Sequence, residues 1–537
     1  MQEKLKKNLI RSVGKSFGAS LIAVAFCLSF TNNSQAIQAV AEIPVPAEPE
    51  VAPAGLPKIK LTIKEELVKS LFSSVKGLTD PVKWENAVRV PIDVTTENKV
   101  ARFYTRQGFG LLQNQWDLES HRSFVYALKH DKDCIGPYIG LLMLSTQRHN
   151  PSHMNQKALS SVVVTLKNEK KGKDYTYTQQ ERLYAEVALS MAEGIREDVV
   201  NSVNELVKAY PMDFQALIMQ QVILPMRAGG NTVNDKSKFI GRMMKNYPLV
   251  PMLWVYWLSI HQFQNDPVFL KNEVIPYSSK LVKWAPKMPV WYLYHGMFLH
   301  KSEEFDEANQ SFDKAIEIYA KWGEDSNIPN DFNAPLWQSL IFKSVNYYKA
   351  GKFDEAMTLA KELQKTPVNV TLRSEVRGIY LWEIQSLPSR LYLARNQPGD
   401  LIRARESLPS KEFLNSVEEI SAASMYFTAL NEYIAFKMAI KDGKIDAAKE
   451  IKVDLLDKSQ QNFNLTKVKS NNFIDRNYFH RGRYAVNVYH NFANAELEKI
   501  DGNMKDYETF REYMQDSLNK GSRILILPRH VIEEFQK

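Results

Sequence analysis

Residues 292–315 read YLYHGMFLHKSEEFDEANQSFDKA, and their spacing decides the fold. Tyr292, Gly296 and Leu299 share one face of a helix; after a break at Ser302, Glu303 and Glu304, residues Ala308, Phe312 and Ala315 share one face of a second. Tyr104, Gly108, Leu111, Phe124 and Ala127 keep the same order and spacing, and Leu340, Tyr347, Ala356 and Ala360 keep part of it. A helical hairpin cannot bury its apolar face alone, so neighbouring hairpins stack. The pattern predicts an all-α solenoid of helical hairpins that presents surfaces.

The punctuation agrees. Tyr210-Pro211, Tyr247-Pro248 and Ala285-Pro286 recur at steps of 37 and 38 residues, each after an amphipathic stretch. Proline lacks the amide donor that a helix interior needs, so each pair ends one helix and starts the next unit. Thr178-Gln179-Gln180-Glu181 reads as a capping box opening a helix through Leu189. Gly351-Lys352-Phe353-Asp354-Glu355-Ala356 reads as a turn between helices, with Gly443 to Ala448 a second copy and Asp501 to Tyr507 a worn third. Ala228-Gly229-Gly230-Asn231 reads as another interhelix turn. Runs of alternating β-branched residues are few, and strands are not evident.

These residues resemble tetratricopeptide repeats over roughly Ala101 to the C-terminus. Gly108 and Gly296 stand at that family's close helix contact, and Ala127 and Ala315 at its second small position. Lys132 departs from the pattern where proline is usual, and Ser120 and Ser344 replace its Ala and Gly positions. The resemblance implies a right-handed superhelical solenoid of tetratricopeptide type, with about seven to ten hairpins, acting through protein binding. The run Gly108-Phe109-Gly110-Leu111-Leu112 with Ser123-Phe124 and Asp131-Lys132-Asp133-Cys134 is similar to the opening repeat of a group of exported bacterial proteins of this type. Some of that group carry paired histidines on successive helices, a set suited to a metal. Here Trp257 stands one turn before His261, and Leu293 and Met297 occupy the corresponding places on the next helix, so the resemblance argues against a metal.

The N-terminal segment Met1 to Ala36 has the layout of a cleavable export signal, with a basic start, an apolar run from Ala19 to Phe30, and Ser34-Gln35-Ala36 before the cleavage point. That run is short of the roughly 20 apolar residues that span a bilayer. Cys27 follows Phe26, a bulky residue where a lipid-attachment motif has a small one. Residues 37–58 carry Pro44, Pro46, Pro49, Pro53 and Pro57 among alternating acids, the composition of an extended linker. The folded body is then 59–537, divisible into segments 59–325 and 326–537. The formal charge of +8 falls to +4, 64 basic against 60 acidic residues, once the signal is removed, which is no nucleic-acid footprint. With Cys27 in the signal, Cys134 is the one remaining cysteine, so no internal disulfide forms and the thiol reads as a small buried hydrophobe.

Chemistry-bearing motifs are few. His149 and His153 have the i, i+4 spacing of a metalloprotease pair but lack the following Glu, and Pro151 disfavours the helix that pairs them. His295 and His300 are five residues apart and diverge on a helix. His480 and His490 flank Arg481, Arg483 and Tyr484, which read as a solvated basic face. Glu303, Glu304, Asp306 and Glu307 cluster where acids favour a helix N-terminus. The chain has no G-x-S-x-G, no phosphate-binding glycine loop, and no catalytic, cofactor or metal residue to assign. The segment Arg523 to Arg529 reads as a cap on the open end of the solenoid, with a last strand-like segment and a partner-docking run as the alternatives.

Aromatic residues are the better lead: 9 Trp, 24 Tyr and 26 Phe, with Trp254, Tyr256, Trp257, Trp291, Tyr292 and Tyr294 crowded together. A solenoid's inner wall displays such side chains, and the candidate partner-binding surface is Tyr256, Trp257, Gln262, Tyr294 and Asn346. The expectation is a non-catalytic scaffold or adaptor in the periplasm or envelope of a Gram-negative bacterium, binding a protein or extended peptide, with no nucleic acid and no membrane span after signal cleavage. Two alternatives stand beside it: a metal-dependent hydrolase on the same scaffold, and a glycan-binding envelope protein.

Overall fold

The computed structural model describes residues 65–84, 86, 90, 92–114, 116–146, 151–165, 177–223, 233–262, 264–372, 374–417, 423–465 and 473–521. The export signal, the linker, Cys27, His149, the turn at Ala228 to Asn231 and the Arg523 to Arg529 segment lie outside them. Helices account for nearly all regular structure, and no strand occurs among the described residues. No helix among them is long and apolar enough to cross a membrane.

Contacts divide the chain into two compact units: Met1–Gln264 with Lys271–Tyr294 and Asp325–Asn327, and Asn265–Leu270 with His295–Glu324 and Ile328–Lys537. The first contains helices α1 (Glu65–Ser74), α2 (Lys99–Gln113), α3 (Asp117–His130), α4 (Ile135–Ser145), α5 (Gln156–Val163), α6 (Gln179–Glu193), α7 (Arg196–Ala209), α8 (Val233–Asn246), α9 (Pro251–His261) and α10 (Ile275–Trp284). Helix α11 (Pro289–Lys301) belongs to the first unit up to Tyr294 and to the second from His295. The second unit continues through α12 (Phe305–Asp325), whose last residue falls in the first unit, and through α13 (Ala334–Lys349), α14 (Phe353–Lys365), α15 (Leu387–Arg395), α16 (Ala423–Lys441), α17 (Ile445–Leu465), α18 (Phe473–Ile500) and α19 (Met504–Gly521), with shorter helical pieces between α14 and α16.

In the first unit α2 pairs with α3, α6 with α7, and α8 with α9; in the second, α13 pairs with α14, α16 with α17, and α18 with α19. The quoted repeat explains two of the hairpins directly. A Cβ placed on Gly108 would lie 2.5 Å from the Phe124 ring, and one on Gly296 would lie 2.6 Å from the Phe312 ring. In each case the phenyl ring of the second helix rests on the bare backbone of the first. The serines that depart from the repeat make a different contact at the same place. Ser120 Oγ donates to the Gly108 carbonyl (2.7 Å), and Ser344 Oγ to the Ala356 carbonyl (2.9 Å), so each fastens its helix to its partner.

The turn motifs are physical repeats as well. At Gly351, Gly443 and Gly502 the backbone is left-handed, with φ of +78°, +71° and +79°. In each turn the glycine N–H reaches back three residues and the next N–H reaches back five, from Lys352 to Tyr347, Lys444 to Ala439 and Asn503 to Glu498. The third copy, worn in sequence, is the same in backbone. The turn joining α11 to α12 repeats it with Glu303 in the glycine place, at φ +65°.

The proline pairs end helices as expected. Tyr210, Tyr247 and Ala285 each close the last helical hydrogen bond, and their carbonyls accept from Asp213, Val250 and Met288, three residues on, across a turn with Pro in the second place. Asp131 does the same with Cys134 (3.3 Å), but here Lys132 stands where the others have Pro. The capping box forms in full: Thr178 Oγ1 accepts from the Glu181 N–H (3.2 Å) while Glu181 Oε2 accepts from the Thr178 N–H (3.0 Å). The helix outruns its expected end at Leu189 by one turn and stops at Gly194, φ +76°.

Before α2 the described residues between Thr79 and Thr96 are not helical, and they are held by side chains of the first unit. Gln107 Oε1 accepts from the Trp84 N–H (2.8 Å), and Gln107 Nε2 donates to the Val82 carbonyl (2.9 Å). Tyr104 Oη donates to the Pro81 carbonyl (3.0 Å), Arg122 to that of Thr79 (2.9 Å), and Gln180 and Glu181 accept from the N–H groups of Asp93 and Thr95 (2.8 Å each). Trp84, Val90, Ile92 and Val94 are buried along this strap.

Two substitutions test the turn geometry. Asp131 already has the extended backbone (φ −151°, ψ 102°) that a following proline requires, so Lys132→Pro should stabilise the protein by about 0.4–1 kcal/mol in chemical denaturation. Glu303→Gly should stabilise by up to about 1 kcal/mol, by relieving a left-handed non-glycine residue. A loss of stability in either variant contradicts the corresponding turn.

Candidate functional site

Two of the five candidate residues are packing residues. Asn346, in α13, is fully buried: its Nδ2 donates to the Phe305 carbonyl (2.8 Å) and its Oδ1 faces His300 Nδ1 (2.8 Å), joining α13 to α11 and the start of α12. Trp257 is 8% exposed; its indole N–H donates to the Glu273 carbonyl (2.6 Å), and its ring packs edge-on to His261 with the ring centroids 4.4 Å apart. Both were expected on an exposed wall and neither is displayed, because each polar edge finds a partner inside. Trp254 (7% exposed) and Trp291 (1%) are buried too.

The remaining three are half-buried. Gln262 Nε2 donates to the Ser259 carbonyl (2.8 Å) at the end of α9. Tyr256 and Tyr294 come together beside the C-terminal end of α2. Tyr256 Oη donates to Gln113 Oε1, and burial pushes the Tyr256 phenol up. Tyr294 lines a narrow recess with Gln113, Asn114, Leu258 and Trp291, and in this conformation the recess is too tight to admit a water molecule. Its remaining lining, Val255 and Ser259, brings no charge.

Asn114 is the residue that the sequence reading passed over. It caps the C-terminal end of α2, its own N–H bonded to the Gly110 carbonyl, and its side chain turns inward. It is 1% exposed, and neither Oδ1 nor Nδ2 has a hydrogen-bond partner. The indole N–H of Trp291, on the same recess, is likewise unpartnered. Leaving a buried polar group unpaired costs about 1–3 kcal/mol. The one signal in the sequence is an Asn closing an amphipathic helix, which ordinarily marks only a C-cap.

Several other buried polar groups are tied into the fold. Glu119 and Arg122 form a buried ion pair that also receives the Trp84 indole N–H (3.1 Å). Asp213 accepts from Tyr184 Oη (2.8 Å), Gln180 Nε2 (3.1 Å) and the Ala216 N–H (3.1 Å). Cys134 is fully buried, and burial pushes its thiol well above the range of a reactive thiolate. His121 lies between Ser74 Oγ (2.8 Å) and Ser152 Oγ (2.7 Å), linking α3 to α1 and to the 3-10 turn Pro151–Asn155. No group of three or more His, Cys, Asp or Glu side chains among the described residues is placed to hold a metal ion.

No protein-family model matches the chain, and no curated protein matches it.

Burial lowers the His121 pKa from 6.5 to about 4, and it does the same to His261, His295 and, with help from Lys452, His490. A histidine held neutral in the fold but free to protonate when unfolded makes the unfolded chain bind more protons. Stability is therefore full above about pH 6.5 and declines as the pH falls toward 4, by up to about 1.4 kcal/mol per pH unit for each such group. Melting temperature should fall steeply across that window, and His121→Gln, which cannot charge, should make the fall shallower. An unchanged slope in His121→Gln rules out this assignment for His121.

Proposed function

We infer that the protein is an exported, non-catalytic scaffold of tetratricopeptide type, working in the periplasm or envelope of a Gram-negative bacterium and binding an extended segment of a partner protein. The observation that carries this reading is the strap. In the first unit, side chains of α2, α3 and α6 bind the backbone of a non-helical segment through donors and acceptors on Tyr104, Gln107, Arg122, Gln180 and Glu181. Helical hairpins with such side chains are chemically suited to hold extended chains, and the repeated turns support stacked hairpins as the architecture.

Affinity capture from envelope extract with the mature chain, followed by crosslink mapping, should return a partner whose crosslinks fall in a contiguous segment lacking regular structure. N-terminal sequencing of the exported protein should begin at Ile37. Tightly held stoichiometric zinc in the purified protein, or crosslinks confined to lipid or glycan, would sink the scaffold reading.

A further inference from the structure

We propose that the recess at Asn114 is a subsite for the backbone of an extended peptide, a proposal that rests on the partner-binding reading above and names where and how the partner is read. The pattern to be repeated is already present in the molecule. Gln107 holds the strap by giving its amide N–H to one carbonyl, Val82, and taking the N–H two residues further on, Trp84. In an extended chain the C=O of residue n and the N–H of residue n+2 point to the same side, so one carboxamide bridges both as a neighbouring strand would.

Asn114 stands seven residues beyond Gln107. Two helical turns bring it back to within about 20° of the same face of α2. It carries the same carboxamide, and its oxygen and nitrogen are both buried without a partner. Gln107 is filled by the strap; Asn114 is not. A single water is no substitute, because the recess is too tight to hold one. Packing alone does not account for the residue either, since an aliphatic side chain there would leave nothing unpaired.

The surroundings define the ligand further. The recess is lined by Trp291, Leu258 and Val255 with no charged side chain, so the bound stretch is neutral and apolar where it enters. The unpartnered indole N–H of Trp291 offers a donor for a second carbonyl. Gln113 and Tyr294 are half-buried at the rim, and the Tyr256 hydroxyl holds Gln113. The occupant is thus an uncharged extended segment, its residue n accepting from Asn114 Nδ2 and its residue n+2 donating to Asn114 Oδ1.

The test uses random dodecapeptides displayed on phage and selected against the full chain. Selected peptides are then synthesised with one backbone amide N-methylated at a time. On the wild-type protein, one methylated position should weaken binding at least tenfold. Asn114→Leu should bind the parent peptide at least tenfold more weakly, show less than a twofold further loss on methylation at that position, and melt at a higher temperature than wild type. Asn114→Asp, which keeps the size and the acceptor but loses the donor, should weaken binding without unfolding the protein. Equal binding of peptides to wild type and Asn114→Leu, or failure to select any peptide, overturns the subsite. Neither result touches the capture experiment, whose failure instead overturns partner binding as a whole.

Discussion

An aromatic ring seated on a bare glycine backbone is the contact on which the hairpins of Gly108 and Gly296 depend. Phe124 of α3 lies against Gly108 of α2 and also against Gly140 of α4, so one ring fixes the spacing of three consecutive helices. Phe312 rests on Gly296 in the same way, and in the second unit the Trp382 ring lies on Gly482 of α18. A ring can approach so closely only where no Cβ intervenes, and the dispersion contacts it gains are lost if the helices move apart. That makes the spacing a short-range constraint, and the left-handed turns at Gly351, Gly443 and Gly502 then set how each second helix leaves the first.

Much of this was legible in the sequence because it is local. A glycine sixteen residues before a phenylalanine, a proline pair after an amphipathic stretch, and a Thr-x-x-Glu before a helix all act on neighbours within one hairpin, where spacing determines geometry. The Glu303 turn was less legible because the glycine that advertises a left-handed residue is replaced, although the surrounding hydrogen bonds are unchanged. The burial of Trp257 and Asn346 was not legible. An indole or an amide on a helix looks the same in sequence whether its polar edge meets solvent or, as here, the carbonyls of Glu273 and Phe305 supplied by other elements. Asn114 was missed for the converse reason. Its position advertises a cap, and only the packing of α9 and α11 over it shows that the carboxamide is sealed inside without a partner.

The strap explains why polar side chains appear so deep in an all-helical unit. A helix spends its backbone donors and acceptors on itself, so helices that hold an extended chain must read its backbone with side chains. Carboxamides suit this task because they offer both polarities in one plane and carry no charge to desolvate. Gln107 and Gln180 follow that logic. Glu181 is the instructive exception: burial pushes its carboxyl up, against hydrogen bonds from Thr95 and from Thr178, so the fold spends several donors to keep one acidic acceptor in place. Neutral amides therefore extend such a surface at lower electrostatic cost than carboxylates. By the same reasoning a buried amide that lacks its complement, as Asn114 does, makes chemical sense in this unit as one more place for an extended backbone to be read.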